Sequence, residues 1–146
     1  MQKQAIHLFV FSFMCFIAVL IFGSILGPLK KTFSDPKVMR NINLFHSHFD
    51  QLCWLGSAAI GCIFGALNNR FHGSERVLKV FTVSYMLGTL LFSLGFLLRA
   101  SGIILHAGLI ENTFSAGVIS FGGLLIVIAA VCALYIAFCI TRRNIS

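Results

Sequence analysis

Charged side chains are scarce in this sequence. They make up 10% of its 146 residues, whereas a soluble domain of this size carries about 25%. The acidic residues are especially few, and the complete set is Asp35, Asp50, Glu75 and Glu111. So few charges cannot cover the surface of a water-soluble domain, and the sequence therefore excludes a soluble globular fold.

A nucleic-acid-binding surface is excluded as well, despite a net charge of +7. The basic residues stand between and beyond long apolar blocks, where they can meet anionic lipid headgroups. No soluble basic face remains to contact a nucleic acid. The charge pattern therefore predicts a lipid bilayer, and no nucleic acid, as a partner.

Cysteine motifs are also missing. The sequence has no CxxC pair and no CxxCH haem-attachment motif. Its five cysteines all lie inside apolar blocks: Cys15, Cys53, Cys62, Cys132 and Cys139. They are expected to pack as small apolar side chains, which argues against a disulfide framework.

Long apolar runs are what the sequence has in abundance. Four blocks are each long enough to cross about 30 Å of hydrocarbon as a helix. They cover about residues 5–26, 45–67, 77–98 and 116–140. A polar loop (30–44) with a turn at Asp35-Pro36, a short basic loop (71–76) and a loop or interfacial turn (103–115) separate them. The sequence predicts an all-α, integral membrane, up-down four-helix bundle, with residues 1–146 as one domain.

The first block is expected to be a retained helix, because it is long and lacks a small-residue cleavage site. The short basic loop and the basic C-terminal end favour cytoplasmic termini in a plasma (inner) membrane. A homo-oligomer or a larger membrane complex is the expected assembly. With four crossings, the first and third loops share one membrane face, which places His46, His48 and Asp50 on the side of His106 and Glu111.

The most informative segment is His46-Ser47-His48-Phe49-Asp50-Gln51-Leu52-Cys53-Trp54. Two histidines and the only acid of the four blocks enter the membrane here, where ionisable groups are costly and usually functional. By steps of three and four, one helical stripe is predicted to face another helix: His46, Asp50, Cys53, Ser57, Gly61 and Gly65. His48 lies about 200° round the helix from His46.

Three interpretations of this segment stay open. The histidines could be interfacial residues that cap a helix near the headgroups. Either His46 or His48 could be an axial ligand of a haem iron, with Asp50 orienting the ring, Trp54 at the haem edge and His106 as a second ligand. Alternatively, His46 and Asp50 could relay protons.

The segment HSHFDQLCWLG resembles the HAHxNLLGW-type segment of small four-helix membrane proteins related to the haem-copper oxidase subunit I superfamily. The matching positions are His46, His48, Leu52 and Trp54. Cys53 stands where that family has glycine. The resemblance implies a haem-binding membrane protein, but four helices cannot supply the histidines of a complete haem-copper centre.

The chain is also similar in size and layout to styrene oxide isomerase, whose second helix begins with a haem b-ligating histidine. His46-Ser47 resembles its His-Ser pair, while Leu52 stands where that family has asparagine. The resemblance implies a Lewis-acidic haem iron assisted by a tyrosine on the third helix, here Tyr85. An interfacial anchor is the alternative role for Tyr85.

The leading hypothesis is therefore a haem b-binding membrane protein that transfers electrons or acts as a Lewis-acid, isomerase-like enzyme. Its partner would be a small apolar substrate or a quinone, and whether the chain is an enzyme is left open. One alternative is a non-catalytic structural or assembly subunit of a membrane complex. Another is a small proton-coupled transporter that uses His46 and Asp50, for which Asp50→Asn should abolish pH-dependent flux.

Overall fold

The computed structural model describes residues 1–33, 35–71 and 73–142, and there the chain is helical with no strand. Four long helices are α1 (Gln2–Thr32), α2 (Pro36–Ala66), α3 (Glu75–Ile104) and α4 (Leu109–Thr141). All four contain a stretch long and apolar enough to cross a membrane. The all-α class and the integral membrane character are thus confirmed. Arg143, part of the basic C-terminal end, lies outside the described residues.

Helix α2 begins nine residues before the predicted apolar block, at Pro36. Asp35 caps it, because its carboxylate accepts a hydrogen bond of 2.7 Å from the backbone N–H of Lys37. Proline suits the first helical position, since its missing N–H would have no helical partner there. The added turns are amphipathic, with Val38 and Ile42 buried and polar residues outside. A search for long apolar runs misses such a helix because its average hydropathy is low.

The predicted loop 103–115 is instead a tight turn between α3 and α4. The backbone N–H of His106 donates to the Ile103 carbonyl, and that of Ala107 donates to the Gly102 carbonyl. This pattern is a Schellman motif, which needs a left-handed residue just past the helix end. His106 fills that position with a φ of 52°, a conformation in which histidine is among the more tolerated residues.

Two stretches have the wider π-helical bonding, Phe49–Gly56 inside α2 and Leu109–Phe114 at the start of α4. In a π-helix the bonds run from i to i+5, and such turns concentrate at functional sites. Neighbouring helices bind the carbonyls of the first stretch. Ser12 of α1 donates to the Trp54 carbonyl at 3.0 Å, and Tyr85 of α3 donates to the Leu52 carbonyl at 2.9 Å.

The α3–α4 interface is built from small residues at seven-residue spacing. On α3 the buried residues are Gly88, Gly95 and Gly102, and on α4 they are Ser115, Gly122 and Ala129. A Cβ at Gly88 would lie 2.9 Å from the Cβ of Leu125 and 3.0 Å from the Gly122 carbonyl oxygen. The two backbones therefore touch along the interface, which is how helices gain contact in a membrane. Helix α4 packs mainly on α3.

Candidate functional site

The buried stripe of α2 differs from the predicted one at the end that carries the histidines. Cys53, Ser57 and Gly61 are buried as predicted, but Phe45 and Phe49 are buried where His46 and Asp50 were expected. Gly65, the last residue of the predicted stripe, is exposed, and nothing lies within 4 Å of a Cβ built there. The predicted stripe assumed an α-helix throughout. The π-helical turn holds more residues, so it shifts the side chains before it relative to those after it.

His48 faces α3 and lies among aromatic rings. Its imidazole stacks on Phe96 with the ring centroids 5.3 Å apart, and the edge of Phe92 approaches at the same centroid distance. Among the described residues, no hydrogen bond or ion pair engages either imidazole nitrogen. His48 is thus half-buried against apolar rings, and its two nitrogens have no partner in the described part of the chain.

His46 and Asp50 lie one helical turn apart, and both are half-buried. No hydrogen bond or ion pair joins them, and neither has such a partner elsewhere in the described part of the chain. The bond that would let Asp50 orient the His46 ring, or pass a proton to it, is thus not formed in this conformation. Asp50 is thus an acidic side chain in a membrane-spanning helix with no cationic partner among the described residues, which is an unusual arrangement.

Trp54 packs toward α1, and its ring centroid lies 4.6 Å from that of Phe16. It belongs to the edge of an apolar cluster formed by α1, α2 and α3, which includes the buried residues Phe45 and Phe49. His48 instead contacts rings of α3. Phe96, on which His48 stacks, packs against the same cluster, but no ring contact joins Trp54 to the His48 imidazole among the described residues.

Tyr85 lies on α3, as predicted, and its hydroxyl is committed to the Leu52 carbonyl of the π-helical stretch. Its ring stacks on Phe81 at a centroid distance of 5.9 Å. Gly56 leaves room for this contact, because a Cβ there would overlap the Tyr85 hydroxyl. Tyr85 therefore supplies a hydrogen bond to a carbonyl of the π-helical stretch, where regular α-helical bonding is interrupted.

His106 lies at the tip of the α3–α4 turn with its side chain exposed, while Glu111 is half-buried at the start of α4. The left-handed backbone of His106 ends α3, which gives this residue a structural role that its sequence position did not reveal. Among the described residues, no three His, Cys, Asp or Glu side chains are placed to share a metal ion. Binding of a metal centre through one axial imidazole is the arrangement that these residues can offer.

A cleft that the sequence reasoning missed opens between α2, α3 and the start of α4. It has a volume of about 370 Å³ and is lined by Lys37, Arg40, Asn41, Leu44, Phe96, Arg99, Ile103 and Glu111. We call it the cationic cleft. Phe96 both lines the cleft and stacks on His48, so the two features are neighbours. The signal in the sequence was weak, because Lys37 and Arg40 fell in a predicted loop and Arg99 marked a predicted helix end.

Thiols and hydroxyls meet in the core where α1, α2 and α3 pack. Cys15 and Cys53 belong to the same buried cluster, and the Cys53 sulfur lies 3.9 Å from the Ser93 hydroxyl. One turn along α2, the fully buried Ser57 hydroxyl has no hydrogen-bond partner among the described residues. Cys15 and Cys53 are thus buried as expected of apolar residues, although polar hydroxyls lie nearby. Cys62 is exposed, and Cys132 and Cys139 are half-buried, so the expectation of buried thiols is wrong for Cys62.

A second opening is almost wholly apolar and lies between α2, α3 and α4. Its volume is about 360 Å³, and Ile63, Phe81, Tyr85, Ala133 and Ile140 are among the residues that line it. In a bilayer, such a groove is in contact with lipid chains.

Comparisons with protein-family profiles, with curated proteins and with solved structures find no significant match to this chain.

Proposed function

We propose that this chain is a small haem b-binding protein of the membrane, with His48 as the axial ligand. The observation that carries the proposal is the His48 imidazole, whose nitrogens are free while its ring packs between Phe92 and Phe96. A neutral imidazole is a common axial ligand of haem iron, and apolar walls suit the macrocycle. His46 is the second choice, since no aromatic ring of the described residues packs against it.

The residues present fit this group in kind. His48 supplies the nitrogen ligand, Phe92 and Phe96 supply apolar faces, and Leu44 lies one helical turn above His48 on the same side of α2. Phe96 must turn aside to admit a macrocycle beside the imidazole, because the two rings stack. When bound, haem b supplies one-electron transfer or a Lewis-acidic iron. Its partner in the membrane would be a quinone or a small apolar substrate.

We further propose that the four helices form an up-down bundle with both termini in the cytoplasm, in the plasma (inner) membrane. Three contacts support the antiparallel order. The backbone N–H of Gln2 donates to the Asn68 side chain at 2.9 Å, Tyr85 reaches Leu52, and a Cβ at Gly122 would meet Phe92. A homo-oligomer or a partner in a larger membrane complex completes the proposed assembly.

Visible absorption of the purified protein after haem supplementation tests the proposal. We expect a Soret band in the parent protein and in His46→Ala, and its loss in His48→Ala. His48→Phe keeps the aromatic packing and should also lose the band, which separates ligation from a packing defect. Added imidazole should restore part of the band in His48→Ala, because it can occupy the position left by the side chain.

No Soret band in the supplemented parent protein would overturn the haem proposal. Loss of the band in His46→Ala alone would assign the axial ligand to His46, on the other side of α2. Co-purification with other membrane subunits, together with spectra that neither histidine variant changes, would favour the structural-subunit alternative.

A further inference from the structure

The cationic cleft combines a charged rim with an apolar floor. Lys37 and Arg40 come from the first turns of α2, and Arg99 comes from the last turns of α3. Leu44 and Phe96 line the same cleft on the side of the apolar parts of these helices. The polar and apolar groups are thus arranged in the order in which a phospholipid presents its headgroup and its chains.

The cations of the rim outnumber its acids. Glu111 is the one carboxylate that lines the cleft, against Lys37, Arg40 and Arg99. In the described ranges the one ion pair joins Lys79 and Glu75, at the other end of α3, so neither arginine of the cleft is paired with a carboxylate. Asp35 is close in sequence, but its carboxylate accepts from the Lys37 backbone N–H.

The side chain of Asn41, which also lines the cleft, already has a hydrogen-bond partner. The side-chain amide of Asn41 donates to the Lys37 carbonyl at 2.9 Å, which leaves the charged side chains as the free donors of the rim. Guanidinium groups bind phosphate oxygens with two parallel hydrogen bonds, and they do so better than ammonium groups. Two unpaired arginines beside an apolar floor therefore suit a phosphodiester that carries acyl chains.

We propose that the cationic cleft binds an anionic phospholipid, with its phosphate between Arg40 and Arg99 and its chains against Leu44 and Phe96. Basic pockets between membrane helices hold anionic headgroups in this way. The cleft volume of about 370 Å³ lies within the range of small-ligand sites, about 300–1,000 Å³. A bound lipid would join α2 to α3 directly above the His48 ring.

Native mass spectrometry of delipidated, haem-free protein with added phosphatidylglycerol or phosphatidylcholine tests this inference. We expect phosphatidylglycerol to bind the parent protein at least about tenfold more tightly than it binds Arg40→Gln/Arg99→Gln, since each cation near an anionic lipid contributes substantially. Phosphatidylcholine should bind the parent weakly and should not distinguish the two proteins. The control is Arg76→Gln/Lys79→Gln, which removes two exposed cations from the other end of α3 and should leave binding unchanged.

A charge-preserving variant guards against a folding defect. Arg40→Lys/Arg99→Lys should recover part of the affinity, because lysine keeps the charge but loses the two-bond geometry. Equal binding of phosphatidylglycerol to the parent and the glutamine variant would overturn the proposal. Displacement of the lipid by millimolar inorganic phosphate would overturn it too, since the cleft would then bind free phosphate. The haem-free protein makes the test independent of the Soret measurement.

Discussion

At the scale of single residues, the side of α2 on which a group lies decides what that group can do. His46 and His48 are two positions apart, and a helix turns about 200° between them. His48 consequently packs against Phe92 and Phe96 of α3, whereas His46 lies near Asp50 without bonding to it. One metal ion between the two imidazoles is thus not an option for this helix.

Tyr85 provides a residue-scale prediction, because its hydroxyl binds the Leu52 carbonyl. Tyr85→Phe should lower the free energy of unfolding in detergent by about 0.5–1.5 kcal/mol, the usual net contribution of one hydrogen bond. The haem Soret band should stay unchanged, since the hydroxyl binds the Leu52 carbonyl and not the His48 side chain. An SDS titration monitored by circular dichroism measures the first effect, and visible absorption measures the second.

Tyr135→Phe is the matched control, because Tyr135 is exposed on α4 and should tolerate the loss of its hydroxyl. A shifted Soret band in Tyr85→Phe with unchanged stability would contradict this assignment. It would return Tyr85 to the catalytic role that the resemblance to styrene oxide isomerase implies.

The sequence predicted the segment that holds the candidate site better than the directions of its side chains. Two histidines and an acid in an apolar run were recognisable because ionisable groups are rare there. The π-helical turn was not recognisable, since it depends on Ser12 and Tyr85 of neighbouring helices. The arginines of the cationic cleft were equally hidden, because their proximity arises from the packing of α2 on α3.

At the scale of helices, the number and type of the helices followed from the hydropathy of the sequence. The positions of the helix ends depended on local capping residues. Asp35 and Pro36 start α2 early, and the Schellman turn at His106 shortens the last loop. The cap of α2 could have been read from the Asp-Pro pair. The left-handed histidine could not, because glycine is the usual residue at that position.

The α3–α4 interface gives the prediction at this scale. A Cβ at Gly95 would overlap Ile119, so Gly95→Leu should force the two helices apart. Overpacking of this kind costs about 1–3 kcal/mol, and we expect a corresponding loss of stability in an SDS titration. Gly117→Leu on α4 is the control, since nothing lies within 4 Å of a Cβ there. Equal stability of the two variants would show that α4 does not depend on this close contact.

At the scale of the whole molecule, the candidate ligand-binding residues lie at one end of the helices. The histidines of α2, Asp50 and the cationic cleft all lie toward the Asp35 and His106 turns. The opposite end holds the apolar groove between α2, α3 and α4. Among the described residues, the cationic cleft at the first end combines charged side chains with an apolar floor, which suits a ligand that has a charged and an apolar part.

The membrane orientation can be tested by introducing one cysteine at a time into the turns and labelling it in intact cells. With both termini in the cytoplasm, Asp35→Cys and His106→Cys should react with a membrane-impermeant maleimide from outside, whereas Asn69→Cys should react only after permeabilisation. The native thiols all lie in α1, α2 and α4, so the parent protein gives the background. Labelling of Asn69→Cys alone would reverse the orientation and keep the fold. Labelling of Asp35→Cys and His106→Cys from opposite sides would contradict four crossings, because an up-down chain must place its first and third turns on one face.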